Sequence, residues 1–132
     1  MASSYSNDAF NQHHPAFLVD GRKNPTNVEK WASRPKDRSP WIELRWRGVH
    51  SLSSVVLVHA GSFEAKDLTL HQYTIVCLGE KGETARLGVE SNVDNTATHE
   101  LDCPSAVGIR IELTPNLLGD IVRLYEVEAW GQ

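Results

Sequence analysis

The chain has 132 residues, of which 40% are hydrophobic, and a formal net charge of −4. This length and composition suit one globular domain with a buried core, and no apolar run reaches the roughly 18 to 20 residues that a membrane-spanning helix needs. The negative charge argues against nucleic acid and against an anionic membrane as partners.

Taken in chain order, the residue pattern predicts an all-β domain behind a polar extension. Residues 1–15 are assigned to an N-terminal extension, for which partial disorder is expected, and residues 16–132 to the domain. Helix signals occur only at residues 27–31, where Pro25 and Thr26 suit the start of one turn. Strand signals follow at Trp41–Trp46, Ser53–His59, Leu70–Leu78, Glu83–Val89, Thr98–Leu101, Gly108–Leu113 and Arg123–Trp130. Seven or eight short strands separated by polar turns are typical of an antiparallel β-sandwich.

Strand periodicity also predicts which large side chains face the core. Trp31 and Trp46 are expected inside, Trp130 is expected to cover the open end of the sandwich, and Trp41 is expected to point outward as a surface packing residue or a stacking platform. In the other strands, the side chains expected to face the core are Ile42, Leu44, Tyr125, Val127 and Ala129, and Tyr73, Ile75 and Cys77 are expected to share one side of their strand.

The chain has two cysteines, one in an apolar strand and one just before a proline. A disulfide between Cys77 and Cys103 is compatible with the sequence, but spacing alone does not establish the bond. Free cysteine behaves as a small buried hydrophobe, so two free thiols inside the domain are the expectation.

Six sequence blocks between residues 17 and 131 occur in a characteristic order. They are Val19–Gly21 leading to Trp31–Ser33, then Trp41–Trp46, Leu52–Leu57, Leu70–Ile75, Val107–Ile111 and Arg123–Gly131. This set resembles the galactose-binding-like β-sandwich, a jelly roll, of discoidin (coagulation factor type C) domains and family 32 carbohydrate-binding modules. Two features depart from the family: Trp46-Arg47-Gly48 replaces its Asp-Leu-Gly turn, and the entry loop before Trp31 is longer. The resemblance implies a binding module.

The same resemblance implies a structural calcium ion between the entry loop and the last strand. Asp20 matches the entry-loop carboxylate and Glu126 matches the closing-strand carboxylate, which are oxygen ligands that Ca²⁺ prefers. Glu29 stands where the family has a hydroxyl residue, so Thr26 would have to supply the hydroxyl. The alternative is that Asp20 caps a turn and that Glu126 pairs with an arginine.

The resemblance further implies a sugar site among the loops at one end of the sandwich. An aromatic ring and paired hydrogen-bonding groups are what a shallow sugar site needs. The loops that would supply them contain His59, Phe63, Glu64, Lys66, Arg34, Arg38, Asn92 and Asn95. The family's Arg-x-x-x-x-Asn pair is absent from the loop after Val58, so galactose specificity is not carried over. In the alternative interpretation, Phe63 anchors its loop and His59 bonds locally.

The sequence predicts no enzyme, because it has no nucleophile elbow, P-loop or dinucleotide motif and no histidine spacing suited to zinc. The favoured hypothesis is a monomeric, non-catalytic glycan-binding module that targets a parent polysaccharide-active enzyme in the same polypeptide. Secretion or a periplasmic location within a larger protein is expected, although residues 1–10 do not resemble a signal peptide. The alternatives are a discoidin-type protein- or lipid-recognition module and a purely structural accessory domain.

Overall fold

The computed structural model describes Ala2 and residues 31–34, 37–60, 68–116 and 121–131. Its strands are β1 (Trp31–Ala32), β2 (Trp41–His59), β3 (Gln72–Gly79), β4 (Gly82–Val89), β5 (Thr96–Thr114) and β6 (Arg123–Gly131). They form one antiparallel sheet in the order β1-β6-β2-β5-β3-β4, which confirms the all-β class. Among these residues, no helix has the length and hydropathy of a membrane span.

Two strands of 19 residues each, β2 and β5, turn this one sheet into a sandwich. The first part of β2, Trp41–Arg45, pairs with Gly108–Glu112 of β5, and Ser54–Val58 pairs with Thr96–Glu100. Register shifts separate the two parts, and such bulges bend strands and increase their twist. Since β3 and β4 extend one part and β6 and β1 extend the other, the sheet folds into two layers. We call the layer of β4, β3 and the adjoining parts of β5 and β2 the four-stranded layer.

The long strands unite segments that the sequence predicts as separate. The predicted strands Trp41–Trp46 and Ser53–His59 are the two ends of β2, and Thr98–Leu101 and Gly108–Leu113 are both parts of β5. Gly48 adopts a positive φ of 74° inside β2, a conformation that glycine accepts at little cost. A glycine that predicts a turn from sequence thus allows an irregularity within a continuing strand. Trp31 lies in β1 rather than at the end of a helical turn, and residues 27–30 are outside the described part.

The core lies between the layers and confirms most of the predicted inward positions. Its buried members include Trp31, Ile42, Val55, Leu57, Tyr73, Ile75, Cys77, Ile109, Ile111, Leu124 and Val127. Trp46 is half-buried against this cluster, and its Nε1 donates a hydrogen bond to the Ala106 carbonyl at 2.9 Å. The prediction for Trp130 is wrong: its side chain is 56% exposed. Trp130 pairs with Ser54, the neighbour of the inward Val55, and therefore lies on the outer face.

Strand β6 contains an irregularity that alternation did not predict. The register shifts between the partners of Val58 and His59, so that Leu124 and Val127 both join the main core. Tyr125 is also buried, but it packs in a second cluster with Val58 and Ala60. Ala129 is exposed. Of the three predicted inward residues, Val127 alone contributes to the main core.

The expectation of two free thiols is wrong, because Cys77 of β3 and Cys103 of β5 form a disulfide. Their Cα atoms are 6.0 Å apart, which lies in the usual range for disulfides. Both residues are buried in the core between the layers. Cys103 lies opposite Leu52, in the stretch where β2 and β5 shift register, and this bend brings it to β3. Sequence spacing could not reveal that proximity.

At one described position, the N-terminal extension contacts the domain. Ala2 forms an isolated antiparallel bridge with Ile42 and packs against the main core. Residues 3–30 lie outside the described part, so the boundary at residue 15 stays a prediction.

Substitution of Gly108 should strongly destabilise the fold. An alanine Cβ there would lie 2.4 Å from the Leu44 carbonyl oxygen, where β5 crosses β2, and backbone cannot yield as a flexible side chain does. We expect Gly108→Ala to lower the free energy of unfolding by about 3 kcal/mol, the upper range for overpacking. Urea denaturation followed by tryptophan fluorescence measures this change.

Gly88→Ala is the matched control, because an alanine Cβ at Gly88 would meet nothing within 4 Å. Both glycines lie in strands and neither has a positive φ. The control should change stability by no more than about 0.5 kcal/mol. Equal unfolding midpoints for the two variants would contradict the clash at Gly108.

Candidate functional site

Strand ends and the segments that join them gather at one end of the sandwich, which we call the loop end. Here β2 finishes at His59, β3 begins after the Leu68–His71 segment, and β5 begins after the Glu90–Asn95 loop. The cross-strand pairs Val58 with Thr96, His59 with Leu124, Tyr73 with Val89, and Gln72 with Thr114 place these ends side by side.

Asn92 holds the Glu90–Asn95 loop against the segment before β3. Its side-chain Nδ2 donates to the carbonyls of Leu70 at 2.9 Å and Asp94 at 3.0 Å, and its Oδ1 accepts from the Asp94 amide at 3.2 Å. The Asn92 amide donates to the His71 carbonyl at 3.0 Å. Asn92 is only 7% exposed, so it acts as an internal brace of the loops.

Asn116 and Asn95 extend this brace to two more segments. Asn116 Nδ2 donates to the Thr69 carbonyl at 2.7 Å, and Asn116 Oδ1 accepts from the His71 amide at 3.0 Å. Thr69 Oγ1 donates to Asn95 Oδ1, and the Asn95 carbonyl accepts from the His59 amide at 2.7 Å. The network therefore fixes the end of β2, both flanking loops and the start of the segment after β5 in one arrangement.

His59 lies beneath this network, fully buried. Its ring centre is 5.5 Å from that of Tyr73, and Nε2 is 3.5 Å from Asn92 Nδ2. Burial lowers the pKa of His59 to about 4, with a smaller contribution from His99, so the imidazole is neutral at pH 7. Its Nδ1 is buried and has no hydrogen-bond partner.

Tyr73 and His99 connect the two layers next to His59. A hydrogen bond joins the Tyr73 hydroxyl to His99 Nε2, and the rings meet edge to face with centres 5.3 Å apart. Burial raises the pKa of Tyr73 and lowers the pKa of His99, so both groups are neutral at pH 7. The interior of the loop end is therefore polar but uncharged.

The structure distributes the predicted sugar-site residues over several environments. His59 and Asn92 are buried and Asn95 is half-buried, and all three belong to one cluster. Arg34 is exposed next to Ser33, which hydrogen-bonds to the backbone of Val122. Arg38 is exposed and lies apart from this cluster, in a depression that Trp41 also lines. The predicted loop residues outside the described part are Phe63, Glu64 and Lys66.

Several residues of the network were not predicted from the sequence. Thr69, His71 and Asn116 brace the loops, and Tyr73 and His99 form the neutral floor. Polar residues just outside a strand, such as Thr69 and Asn116, are the signal that points to such braces. Their partners depend on strand register, which the pattern does not supply.

Of the predicted calcium ligands, the structure describes Glu126 alone. Glu126 is 3% exposed and lies on β6 opposite Val58. Among the described residues, no group of three or more histidine, cysteine, aspartate or glutamate side chains is placed to hold a metal. A buried carboxylate is a fitting ligand for a hard cation, and Asp20 and Thr26 lie outside the described ranges. The calcium site stays a prediction.

No protein-family model and no curated protein matches this sequence. Solved structures do match it over almost its whole length. A Streptococcus pneumoniae fucose-binding module has a TM-score of 0.80 and 19% identity, covering 99% of this chain and 89% of that one. The lectin domain of lectinolysin, solved with Lewis B antigen, has a TM-score of 0.81 and 20% identity, covering 100% of this chain and 91% of that one. The family 32 carbohydrate-binding module of Streptococcus pneumoniae EndoD has a TM-score of 0.78 and 16% identity, covering 100% of this chain and 93% of that one.

These likenesses establish the fold: the chain is a discoidin-like β-sandwich of the kind found in family 32 carbohydrate-binding modules. The fold predicted from the six ordered sequence blocks is confirmed. At 16 to 20% identity, the likenesses carry no ligand over to this chain.

Proposed function

We propose that this chain is a non-catalytic glycan-binding module whose loop end holds the sugar. The observation that carries the proposal is the hydrogen-bonded network of Asn92, Asn95 and Asn116, which fixes several loops around a neutral floor at that end. Binding sites need such fixed loops because ordering them on binding would cost affinity. The fucose-binding and Lewis B-binding structures with the same fold support a glycan as the ligand.

Burial divides the predicted residues into two roles. His59 and Asn92 lie under the surface and position the loops, whereas Asn95 and the exposed Asp94 offer polar groups at the loop end. Phe63, Glu64 and Lys66 would supply a stacking ring and charged hydrogen-bonding groups. Arg34 and Arg38 would form an outer basic rim. A shallow polar site of this kind gains little per hydrogen bond, so we expect a Kd of about 1 µM to 1 mM.

A glycan array followed by calorimetry with the best oligosaccharide tests the proposal. The wild-type domain should bind at least one glycan, and Phe63→Ala should weaken that binding about tenfold, since loss of ring stacking is worth up to about 1.5 kcal/mol. Glu100→Ala, an exposed carboxylate on β5, is the control and should bind normally. Absence of binding to every array glycan and every polysaccharide in affinity gels would refute it.

The exposure of Val93 is the observation that favours the alternative function, lipid recognition. This side chain is 81% exposed in the Glu90–Asn95 loop, as expected of an apolar loop tip that enters a membrane. The neighbouring Asp94 is exposed and would disfavour an anionic surface. Sedimentation with phosphatidylserine vesicles separates the two functions: vesicle binding that Val93→Ser abolishes, without glycan binding, would establish the alternative.

We also propose that the domain works outside the reducing cytoplasm, joined to a polysaccharide-active enzyme. The Cys77–Cys103 disulfide supports an oxidising compartment, where such bonds persist. A tethered monomeric module that holds a glycan would raise the concentration of substrate around the enzyme. Deleting the module from the full-length gene product should lower activity on insoluble polysaccharide and leave activity on short soluble substrates unchanged. Equal losses on both substrates would contradict targeting.

Calcium should stabilise the domain if Glu126, Asp20 and Thr26 hold it. At a free concentration of 100 times its Kd, the ion would add about 2.7 kcal/mol, or about 8 °C in Tm. Differential scanning fluorimetry in CaCl₂ and in EGTA measures the shift. Glu126→Gln should abolish the shift, whereas Glu100→Gln should retain it. The same Tm for the wild type in both buffers would exclude a stabilising calcium site.

A further inference from the structure

A second polar surface lies on the outer face of the four-stranded layer, outside the Asn92 network. Strand register aligns one residue from each of its four strands in a single transverse row. Trp41 of β2 pairs with Glu112 of β5, Glu112 pairs with Thr74 of β3, and Thr74 pairs with Gly88 of β4. The sequence neighbours Ile42, Ile111 and Tyr73 are buried in the core, so this row faces outward.

Two adjoining depressions follow this row and form one groove. The first, about 430 Å³, lies beside Trp41, and the second, about 220 Å³, extends over Gly88 to Glu90. Thr74 and Thr114 line both depressions and therefore join them. Four adjacent strands lie about 4.8 Å apart, so the groove crosses about 14 Å of sheet.

The side chains that line the groove become smaller along the row, from a large side chain at one end to a residue without a side chain at the other. Trp41 forms one wall, Thr74 lies in the middle, and Gly88 ends the row. A Cβ at Gly88 would meet nothing within 4 Å, so the space above this residue is open. The groove can therefore accept a chain that enters over β4 and runs toward Trp41.

The Trp41 wall carries donors and acceptors suited to sugar hydroxyls. The Arg110 guanidinium lies 4.1 Å from the centre of the Trp41 ring, which holds its planar donors in place. Arg110 Nε is buried without a hydrogen-bond partner, 3.9 Å from Glu112 Oε2. Arg38 is exposed, and none of the ion pairs among the described residues includes it. Hydroxyl groups both donate and accept, so they can satisfy carboxylates and guanidinium groups together.

The charges of the groove balance. Its lining contains two arginines, Arg38 and Arg110, and two glutamates, Glu112 and Glu90. Arg86 lies outside the lining, where it pairs with Glu83 and is 3.6 Å from Glu112. Such a surface gives no net attraction to a uronic acid chain, and its carboxylates would repel one. A neutral, hydroxyl-rich chain fits both its shape and its charge.

We infer that this groove is a second glycan site, which binds the interior of an extended neutral polysaccharide across β2, β5, β3 and β4. The inference goes beyond the proposed loop-end site and shares with it the ligand class and Arg38, which that proposal places in its basic rim. Trp41, Thr74 and Gly88 belong to the groove alone, so either site can exist without the other.

Filling the groove tests the inference. Gly88→Tyr places a ring in the open space, and tyrosine suits a strand, so the variant should fold with an unchanged circular dichroism spectrum. In affinity electrophoresis with galactomannan and with mixed-linkage β-glucan, at least one polymer should retard the wild type. Gly88→Tyr should weaken that binding at least tenfold, and Arg38→Ala should weaken it several-fold. Thr98→Tyr, which adds a ring at an exposed position of β5 that lines neither depression, should be retarded like the wild type.

The outcomes also separate the two sites. Polymer binding that Gly88→Tyr abolishes would support the groove even if calorimetry finds no array oligosaccharide bound and Phe63→Ala has no effect. Wild-type mobility unaffected by either polymer, or equal retardation of Gly88→Tyr and the wild type, would overturn the groove and leave the loop-end proposal standing. Stronger retardation by polygalacturonate than by the neutral polymers would overturn the neutral ligand.

Discussion

Reduction of the Cys77–Cys103 disulfide should lower the free energy of unfolding by about 3 kcal/mol. The bond closes a loop with a sequence separation of 26 residues. Crosslinking a loop of that size removes conformational entropy from the unfolded chain, which stabilises the folded state by about this free energy. The bond also joins β3 to β5 inside the main core. For a domain of this size the loss corresponds to a fall in Tm of about 10 °C.

Urea titrations with and without a phosphine reductant measure the effect. The double variant Cys77→Ala/Cys103→Ala is the control, because its midpoint should not respond to the reductant. It should resemble the reduced wild type, apart from the small loss of buried sulfur. An unchanged wild-type midpoint after thiol titration has confirmed two free cysteines would contradict the prediction.

Acidification from pH 7 to pH 4 should cost the domain about 3 kcal/mol through His59 alone. The pKa of this histidine is lowered from 6.5 to about 4 in the folded state, chiefly by burial. Between pH 6.5 and pH 4 this histidine binds a proton in the unfolded chain but not in the folded state, so the free energy of unfolding decreases as the pH is lowered. The contribution is complete above pH 6.5, is lost as pH falls toward 4, and changes no further below that value. His99, whose pKa burial also lowers, acts in the same direction.

The difference between the wild type and His59→Gln isolates this effect, since acid also protonates many carboxylates. Unfolding free energies at several pH values from 4 to 8 should show a shallower slope for His59→Gln. His50→Gln is the control: His50 is exposed on β2, where its Nε2 contacts the Arg47 carbonyl. Parallel pH curves for the wild type and His59→Gln would show that His59 titrates normally.

The sequence predicted the strands but not how they continue. The alternation of apolar and polar residues predicts both ends of β2 and both ends of β5, because each end has one buried face that requires this alternation. The stretches between them contain Gly48 and Pro104, which are typical of turns. In the structure both lie within long strands, because partner strands on either side hold the irregular backbone in place.

The candidate site was predicted less completely, since its geometry depends on register. The sequence selects Asn92 and Asn95 because polar residues concentrate between β4 and β5, and a ligand-binding role for either stays a prediction. For His59 the sequence leaves two interpretations open, a ligand role and a strand-end histidine that bonds locally. The structure buries this residue beside Asn92 and the ring of Tyr73. The transverse row from Trp41 to Gly88 joins residues from four strands, and no local pattern relates them.

The long strands β2 and β5 also bear on how fast the domain folds. They bring together residues that are far apart in the chain, as in the hydrogen bonds from Trp46 to Ala106 and from Ser53 to Trp130, with separations of 60 and 77 residues. Such contacts form only after large loops have closed, so folding should take about milliseconds to seconds. During synthesis, the apolar run Ser54–Val58 of β2 emerges long before its partners on β5 and β6. Nascent chains therefore expose an aggregation-prone strand until the last strand is made.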